Sequence, residues 1–483
     1  MQCELCSPAM RITLVHPSGS NWIPGRKDVT TAANRMVPTG LLCIAAYLEQ
    51  RGHQVSVYDC LGPRAPAETQ LQVKDILAGY PEMVGFSTTT SGFLDAVDMA
   101  DEIKKARPDL PTVFGGVHVS AMGGRLLERF SSVDYLVLGE GELTVAALAD
   151  GDSPESIDGL VWRDGDCPRI NPERQKISDL DTLPFPAYEK ISDFPKKYRL
   201  PPFSYEKIHG ASISTSRGCV YKCDYCDRSV FKRGFRYNSA LYTYEHLKHL
   251  RQRFGVRHVN IYDDLFTLNR SRVMELCERL TAKPLGVDFN CAVRIGHTDE
   301  ELLKAIKAAG GLMVSIGVES GDPDLLRALK AGVTLDQVHD TVALIQQCGL
   351  RAKGLFMAGV VGETPESFQR TSDFILSLGL DDMNLSKFTP FPGAPCYADI
   401  SNHGTLKEDW RQMNALNFVF VPNAFESKEQ MDQLYNTHVK RFYNSPEWRR
   451  KFKKRFWRHR HTLLHMLRHL PEFAAAKRHF EPK

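Results

Sequence analysis

The chain of 483 residues is too long for a single compact core, so we expect two or three domains. With 42% hydrophobic and 25% charged residues it has an ordinary globular composition, and no apolar run reaches the ~18 residues that span a bilayer. The 12 cysteines are scattered, and the first ten residues carry no targeting pattern. We therefore expect a cytoplasmic protein with reduced thiols.

The first part of the chain, residues 11–150, alternates short apolar runs with helical patterns. The runs predict strands at residues 12–15, 54–58, 83–86, 112–114 and 135–138, and the patterns predict helices at residues 40–51, 67–78, 92–106 and 121–130. This alternation predicts an α/β domain with a doubly wound, Rossmann-like parallel sheet. Ligands of such sheets bind beyond the carboxyl ends of the strands.

Three loops at those predicted strand ends are rich in glycine and hydroxyl side chains. They are Gly85–Thr90, Gly115–Ser120 and Leu138–Glu142. Glycine lets a ligand approach the backbone closely, and hydroxyl groups offer hydrogen bonds. The candidate ligand-binding residues are Ser87, Thr88, Gly116, His118, Gly139 and Glu140. The alternative is that these loops are plain turns.

A connector at residues 151–207 precedes a second alternating domain at residues 208–400. Within the connector, Ile157–Arg163 is typical of a small hairpin, and Asp179–Tyr188 of an extended linker fixed by prolines. The second domain has predicted strands at residues 213–216, 258–262, 287–291, 313–318, 352–359 and 382–386. Six strand–helix units predict a partial (β/α)6 barrel with its chemistry at the carboxyl ends of the strands.

Three cysteines, Cys219, Cys223 and Cys226, follow the first barrel strand in the spacing C-x3-C-x2-C. Ordinary [4Fe–4S] clusters are held by four thiolates, so three thiolates leave one iron open to a ligand that is not protein. The alternatives are a zinc knuckle and three coincidental thiols. A zinc site usually needs four ligands, and no partner pair follows here. The motif therefore favours a [4Fe–4S] cluster.

Charged and hydroxyl residues follow three of the other barrel strands. Asp263 and Asp264 can accept hydrogen bonds from an ammonium group, although adjacent acids are also often solvated or cap helices. Arg294 can neutralise a carboxylate. Glu319, followed by Ser320, can bridge two hydroxyl groups. These five residues are the candidate ligand contacts of the second domain.

The last part of the chain, residues 401–483, is predicted to be helical and basic. Between Ser445 and Leu470 nine Lys or Arg residues face one acid, and apolar residues recur at helical spacing, as at Trp448, Phe452 and Phe456. One alternative is a helix that packs on the core with a solvated basic face. Another is peripheral contact with the inner membrane. We expect no nucleic acid, because no base-reading motif accompanies the patch.

The cysteine loop, with Tyr225 before its last cysteine, resembles the signature of the radical S-adenosylmethionine superfamily. The resemblance implies that the open iron binds the amino and carboxylate groups of S-adenosylmethionine. The reduced cluster would then cleave this cofactor to a 5′-deoxyadenosyl radical. The resemblance also implies that Asp263 and Asp264 meet the methionine amino group, and that Glu319 and Ser320 meet the ribose.

Four motifs of the first domain together resemble the cobalamin-binding domain that precedes many such cores. They are Pro38-x-Gly40-Leu41, Gly52-His53-x-Val55, Gly116-x-His118-x-Ser120 and Gly139-Glu140-Gly141-Glu142. The resemblance implies that the nucleotide tail of cobalamin is buried along this domain. No D-x-H-x-x-G motif occurs, so we expect base-off cobalamin, and His118 is not assigned as a cobalt ligand.

The chain is thus similar to a group that contains cobalamin-dependent radical methylases and the anaerobic magnesium-protoporphyrin ester cyclase. This resemblance implies C-methylation of an unactivated carbon, with oxidative cyclisation of a tetrapyrrole-like substrate as the alternative. It also implies a small, hydrophobic substrate and an external electron donor of the flavodoxin or ferredoxin type. A third alternative is a non-catalytic cobalamin-binding regulator, against which the intact cysteine triad argues.

Overall fold

The structure, a computed structural model, describes residues 9–19, 34–165 and 167–470. Two α/β domains follow one another, each built on a sheet of mainly parallel strands. A C-terminal segment packs against the apolar cores of both domains. The predicted fold class, a Rossmann-like domain followed by a partial barrel and a helical tail, is confirmed.

The first sheet has seven strands in the order β2-β1-β3-β4-β5-β6-β7. They are β1 (Arg11–His16), β2 (Gln54–Asp59), β3 (Met83–Ser87), β4 (Thr112–Gly115), β5 (Tyr135–Val137), β6 (Leu160–Asp164) and β7 (Cys167–Ile170). Strands β1 to β5 are parallel, and β6 and β7 add an antiparallel hairpin beside β5. Residues 160–170, assigned to the connector from sequence, therefore extend this sheet, because β5 pairs with β6.

Helices cover both faces of the first sheet. They are α1 (Thr39–Gln50), α2 (Thr69–Leu77), α3 (Thr90–Ala106), α4 (Val117–Met122), α5 (Arg125–Arg129) and α6 (Glu142–Ala149). The predicted helix at residues 121–130 is wrong in detail. The chain turns at Gly123, whose φ of 61° favours glycine, and two short helices result. Helix α6 was not predicted from the sequence.

The second sheet has six parallel strands in the order β15-β14-β13-β12-β11-β8, as a partial barrel requires. They are β8 (Gly210–Ile213), β11 (His258–Ile261), β12 (Asp288–Val293), β13 (Gly311–Glu319), β14 (Arg351–Ala358) and β15 (Asp382–Lys387). A short antiparallel pair, β9 (Ser216–Arg217) and β10 (Arg236–Tyr237), flanks the cysteine loop.

The helices of the barrel lie between its strands. They are α7 (Ala240–Phe254), α8 (Arg270–Ala282), α9 (Glu300–Ala308), α10 (Pro323–Leu329), α11 (Leu335–Gln347) and α12 (Pro365–Ser377). Side chains fix where these helices begin: the Asp299 carboxylate accepts from the Leu302 amide at 2.8 Å. Thr364 forms a capping box with Ser367, and Pro365 occupies the first turn.

The C-terminal segment contains a small antiparallel pair and three helices. They are β16 (Gly404–Leu406), β17 (Phe420–Pro422), α13 (Lys428–Tyr443), α14 (Pro446–Arg455) and α15 (Arg460–Arg468). Trp410 and Met413 join the core of the first domain, whereas Met431 and Phe442 join that of the barrel. The segment therefore holds the two domains against each other.

The aromatic side chains of the tail face the barrel. The rings of Trp448 and Phe452 stack with centroids 4.9 Å apart, and Phe452 meets Phe203 at 5.1 Å. Of the two alternatives for this helix, packing on the core accounts for Trp448 and Phe452, because both rings are used in these contacts. Trp457 lies outside this contact and is 77% exposed. Among the described residues, no helix combines the length and apolarity needed to cross a membrane.

Candidate functional site

The three cysteines lie on a loop that the β9–β10 pair closes at its base. Gly218 begins the loop with a φ of 86°, and a Cβ atom there would lie 2.8 Å from the Gly234 carbonyl oxygen. A side chain at this position would thus push the two arms apart. All three cysteines line one cavity of about 420 Å³ at the carboxyl ends of the barrel strands, which we call the cysteine cavity.

The electrostatics of this loop suit a multi-iron cluster. Burial raises the pKa of Cys226 to about 12, with a further contribution from Asp264, and burial also raises the pKa of Cys219. Positive charge from bound iron is therefore needed to hold these sulfurs as thiolates. In the described part of the chain no three Cys, His, Asp or Glu side chains are placed to hold a metal ion. In a [4Fe–4S] cluster each thiolate binds a different iron, so the three thiols need not converge on one metal ion.

The structure separates the two adjacent acids. Asp263 is 5% exposed, and its carboxylate accepts hydrogen bonds from the Ser216 amide at 3.1 Å and from Thr215. It does not line the cysteine cavity, and its hydrogen bonds instead position the chain that enters the cysteine loop. Asp264 does line the cavity, and burial, followed by the charge of Asp263, raises its pKa.

Arg294 follows β12 and also lines the cysteine cavity, as predicted. Its guanidinium carbon lies 3.7 Å from the centroid of the Tyr221 ring. The Tyr221 hydroxyl is in turn hydrogen-bonded to His297 at 2.5 Å. Tyr221 belongs to the cysteine loop, so this stack fixes a cation beside the thiols while leaving its N–H groups to bind an anion.

Glu319 and a lysine that the sequence analysis missed form a buried ion pair in the same cavity. Lys330 is 6% exposed, and its Nζ donates to the Glu319 carboxylate at 2.8 Å and to the Gly317 carbonyl oxygen at 2.5 Å. A Cβ atom at Gly317 would lie 2.6 Å from both charged groups. Lys330 follows α10 without any motif around it, so no local signal could have found it.

Ser320, predicted beside Glu319 as a ribose contact, points the other way. It is fully buried, and its hydroxyl lies 3.1 Å from that of Thr371 and accepts from the Asp322 amide at 3.1 Å. It does not line the cysteine cavity. The cause is the alternation of side chains at the end of β13, which turns neighbouring residues to opposite faces.

The first domain has its own cleft, of about 150 Å³, at the carboxyl ends of β1, β3, β4 and β5. We call it the first-domain cleft. Its walls are glycines and apolar side chains, together with the predicted residues Ser87, Gly116, Gly139 and Glu140. A Cβ atom built at Gly40 meets nothing within 4 Å, so the glycine leaves space that any side chain would fill. A slot lined mainly by glycines and apolar side chains fits a flat ring such as the base of a nucleotide tail.

Two of the predicted residues of this domain do not line the cleft. Thr88 is buried, and its hydroxyl donates to the Gly115 carbonyl oxygen at 3.0 Å. His118 is fully buried, with its ring centroid 4.5 Å from that of Trp410. Burial, and then the charge of Arg129, lowers the pKa of His118 to about 4, so the imidazole is neutral. It is packed in the core and does not reach the cleft.

Four ion-paired side chains join the cleft to the cysteine loop. Arg217, two residues before Cys219, donates to Glu140 and to Glu142, each at 2.6 Å. Arg236 on the paired strand also donates to Glu140. The carboxylate of Glu140, predicted as a cofactor contact, is therefore engaged by two guanidinium groups. These charges are mostly buried, and they fix one domain against the other.

The two cavities are neighbours. Val230 and Phe231, on the loop between Cys226 and β10, line both the first-domain cleft and the cysteine cavity. Groups bound in the two cavities would therefore meet across one short segment of chain.

Comparison with known proteins agrees with this geometry. Residues 25–149 match the family model of the B12 binding domain, and residues 213–375 match that of the Radical SAM superfamily. An uncharacterised methyltransferase of Pyrococcus horikoshii is 30% identical over 445 residues, which cover 91% of this chain and 93% of that protein.

Two further proteins show how widely the similarity extends. The anaerobic magnesium-protoporphyrin IX monomethyl ester cyclase of Rubrivivax gelatinosus is 24% identical over 449 residues, covering 90% of this chain and 78% of that protein. The structure of OxsB, a cobalamin-dependent S-adenosylmethionine radical enzyme, matches with a TM-score of 0.72 at 16% identity. That match covers 95% of this chain and 72% of OxsB, and it shows the fold alone. The chain belongs to the cobalamin-dependent radical S-adenosylmethionine family, and it is an enzyme whose cofactors are a [4Fe–4S] cluster, S-adenosylmethionine and cobalamin.

Proposed function

We propose that this enzyme transfers a methyl group to an unactivated carbon of a small, hydrophobic substrate. The observation that carries the proposal is the shared wall of the first-domain cleft and the cysteine cavity at Val230 and Phe231. When bound, S-adenosylmethionine on the cluster supplies a radical that removes hydrogen, and cobalamin supplies a carrier for the methyl group. A substrate beside this wall would be within reach of both.

The residues of the cysteine cavity would hold S-adenosylmethionine by its charged groups. Asp264 is the carboxylate placed to accept from the methionine ammonium, and Arg294 is the cation placed for the methionine carboxylate. The Glu319 carboxylate, fixed by Lys330, would bridge the two ribose hydroxyls. Cys219, Cys223 and Cys226 would ligate the cluster. Together these residues would orient the cofactor.

The first-domain cleft would bind cobalamin by shape. Gly40 leaves room for the nucleotide tail, and Leu41 and Phe86 supply apolar walls. His118 lies outside the cleft, in keeping with base-off cobalamin that receives no imidazole from the protein. The reaction also needs an electron, for which we propose an external flavodoxin-type or ferredoxin-type donor.

Oxidative cyclisation of a tetrapyrrole-like substrate is the second candidate. The similarity to the Rubrivivax gelatinosus cyclase over 90% of this chain favours it. The two reactions differ in what they consume. Methylation yields one S-adenosylhomocysteine for each 5′-deoxyadenosine, whereas cyclisation yields 5′-deoxyadenosine without S-adenosylhomocysteine.

The test uses the full chain reconstituted with cluster and cobalamin, a chemical reductant, and a small-molecule extract of the source cells. S-adenosylmethionine with a deuterated methyl group is the tracer. Mass spectrometry should find a cobalamin-dependent product that carries three deuterium atoms on carbon. A turnover that produces 5′-deoxyadenosine, no S-adenosylhomocysteine and no labelled product would overturn methylation in favour of cyclisation.

A further inference from the structure

The amino ends of the barrel strands enclose another cavity, at the opposite end of the barrel from the cysteines. We call it the basal cavity. It measures about 470 Å³ and lies at the beginnings of β14 and β15, under helix α14 of the tail. This volume is in the range of about 300–1,000 Å³ that is usual for small-molecule sites. No part of the methylation reaction proposed above uses it.

Charged side chains of the basal cavity are paired, with one exception. Lys353 contacts Asp382 at 2.9 Å, and Arg455 contacts Asp381 at 2.6 Å. Asp381 also accepts from the Ala352 amide at 2.9 Å. Both carboxylates that line the cavity therefore already have cationic partners.

The exception is Arg351, the first residue of β14. It is 7% exposed, it lines the cavity, and within the described residues its Nε and Nη1 groups have no hydrogen-bond partner. A buried guanidinium left without an anion is costly, and a structure that retains one gains most by binding a counter-charge there.

Nearby groups do not supply that counter-charge. The carboxylates of Asp381, Asp382 and Glu206 all act on Arg351, but each of them is already paired with another cation, Glu206 with Arg458 at 3.5 Å. Burial, and next the charge of Arg351, lowers the pKa of His459 to about 4, so this neighbour is a neutral imidazole. The basal cavity thus presents one net positive charge.

The other wall of the basal cavity is flat and aromatic. The Trp448 and Phe452 rings stack with an interplanar angle of 10°, and Phe203 meets Phe452 edge to face. Aromatic faces of this kind bind planar apolar groups.

We propose that the basal cavity binds a small molecule with a planar apolar body and one carboxylate or phosphate group. The anion would pair with the guanidinium fork of Arg351, which can donate two parallel hydrogen bonds. The planar body would lie against Trp448 and Phe452. Leu355, four residues after Arg351 on β14, lines the cysteine cavity. The ligand would therefore contact a strand whose other end forms part of the cysteine cavity.

The test is calorimetric titration of the full, reconstituted chain with phenyl phosphate, benzoate and inorganic phosphate. Saturating S-adenosylmethionine and cobalamin keep the probes out of the other two cavities. We expect one binding site for phenyl phosphate or benzoate. The probe that binds more tightly shows whether the cavity prefers a phosphate or a carboxylate. Arg351→Met should weaken binding at least tenfold. Arg449→Met, which removes an exposed charge outside the cavity, should leave binding unchanged.

Two further variants separate the anion contact from the aromatic contact. Phe452→Leu should weaken phenyl phosphate more than inorganic phosphate, and Arg351→Lys, which keeps the charge but loses the fork, should also weaken binding. If Arg351→Met does not fold, these two variants decide the question. No binding of either aromatic probe to the wild-type chain, or wild-type affinity in the Arg351 variants, would overturn the proposal.

Discussion

The two domains offer their ligands different kinds of surface. The first-domain cleft consists mainly of glycines and apolar side chains, such as Gly40, Leu41 and Gly116. The cysteine cavity contains charged side chains, among them Asp264 and Arg294. The first domain therefore selects by shape, and the second selects by charge. A substitution should act in the first domain by filling space and in the second by removing a charge.

The largest effect on stability is expected where the two surfaces meet. Arg217→Met leaves Glu140 and Glu142 without their shared partner in a site where their side chains are 9% and 5% exposed. Removing one partner of a buried ion pair typically costs about 3–5 kcal/mol. Differential scanning calorimetry should show a clear loss of thermal stability.

Arg279→Met is the matched control for this variant. Its partner Glu275 lies one turn away on the same helix, and both side chains are 40% exposed or more. An exposed pair of this kind contributes about 0.3–0.5 kcal/mol. Equal losses in the two variants would show that the Arg217 pairs do not hold the domains together.

The adjacent acids allow a sharper comparison within the charged site. Asp263→Asn should lower the free energy of unfolding by about 1–3 kcal/mol, because the Thr215 and Ser216 groups lose a charged acceptor. Asp264→Asn should leave stability nearly unchanged and weaken S-adenosylmethionine binding instead. Thermal melts and equilibrium dialysis measure the two quantities. The assignment is reversed if Asp263→Asn is the variant that loses the cofactor.

The raised pKa of Asp264 predicts that S-adenosylmethionine binding and stability depend on pH. Burial raises the pKa of Asp264 above its usual 3.8, so its carboxylate is lost as the pH falls through that raised value. Affinity for S-adenosylmethionine should therefore fall on the acid side in the wild type and less so in Asp264→Asn. Stability should change in the opposite sense. Because the pKa of Asp264 is raised in the native state, the native state prefers the protonated carboxyl group. The free energy of unfolding should therefore fall as the pH rises from about 3.8 through the raised pKa. If the affinity for S-adenosylmethionine falls equally at low pH in the wild type and in Asp264→Asn, Asp264 is not the carboxylate that binds the cofactor.

The sequence predicted both sheets and the cysteine loop because their signals are local. Strand–helix alternation and the spacing of Cys219, Cys223 and Cys226 are visible in short windows. The sequence could not tell Asp263 from Asp264, because which side chain faces the cavity depends on how the strand ends. Lys330 and the ion pairs of Arg217 were missed for another reason. Lys330 lies 11 residues after Glu319, and Arg217 lies 77 and 75 residues after Glu140 and Glu142, so only the fold brings these charges together.

A smaller effect is expected from filling the first-domain cleft. Gly40→Ala should stabilise α1 by up to ~1 kcal/mol, since alanine favours a helix more than glycine does. The added methyl group points into the cleft, so cobalamin affinity should fall, and Gly40→Leu should lower it further. Absorbance titration with hydroxocobalamin measures this affinity. Unchanged affinity in Gly40→Leu would show that cobalamin does not occupy this cleft.

The smallest effect concerns the surface of the tail. Trp448 and Phe452 face the barrel, so among the described residues of the tail the apolar side chains open to an anionic membrane are Trp457, Leu464, Leu467 and Leu470, which are more than half exposed. Co-sedimentation with phosphatidylserine vesicles should be weak, should fade with salt and should fall in Trp457→Ser. If Trp457→Ser binds the vesicles as well as the wild type does, this surface is not the one that contacts the membrane.

The most direct test of the central claim is 5′-deoxyadenosine formation by the reconstituted full chain in which Cys219, Cys223 and Cys226 are all alanine. The two cavities share the wall at Val230 and Phe231, but none of the three cysteines lines the first-domain cleft. We therefore predict that this variant binds cobalamin as the wild type does, lacks the visible absorption of the cluster and forms no 5′-deoxyadenosine. Cofactor cleavage by the triple variant would contradict the account.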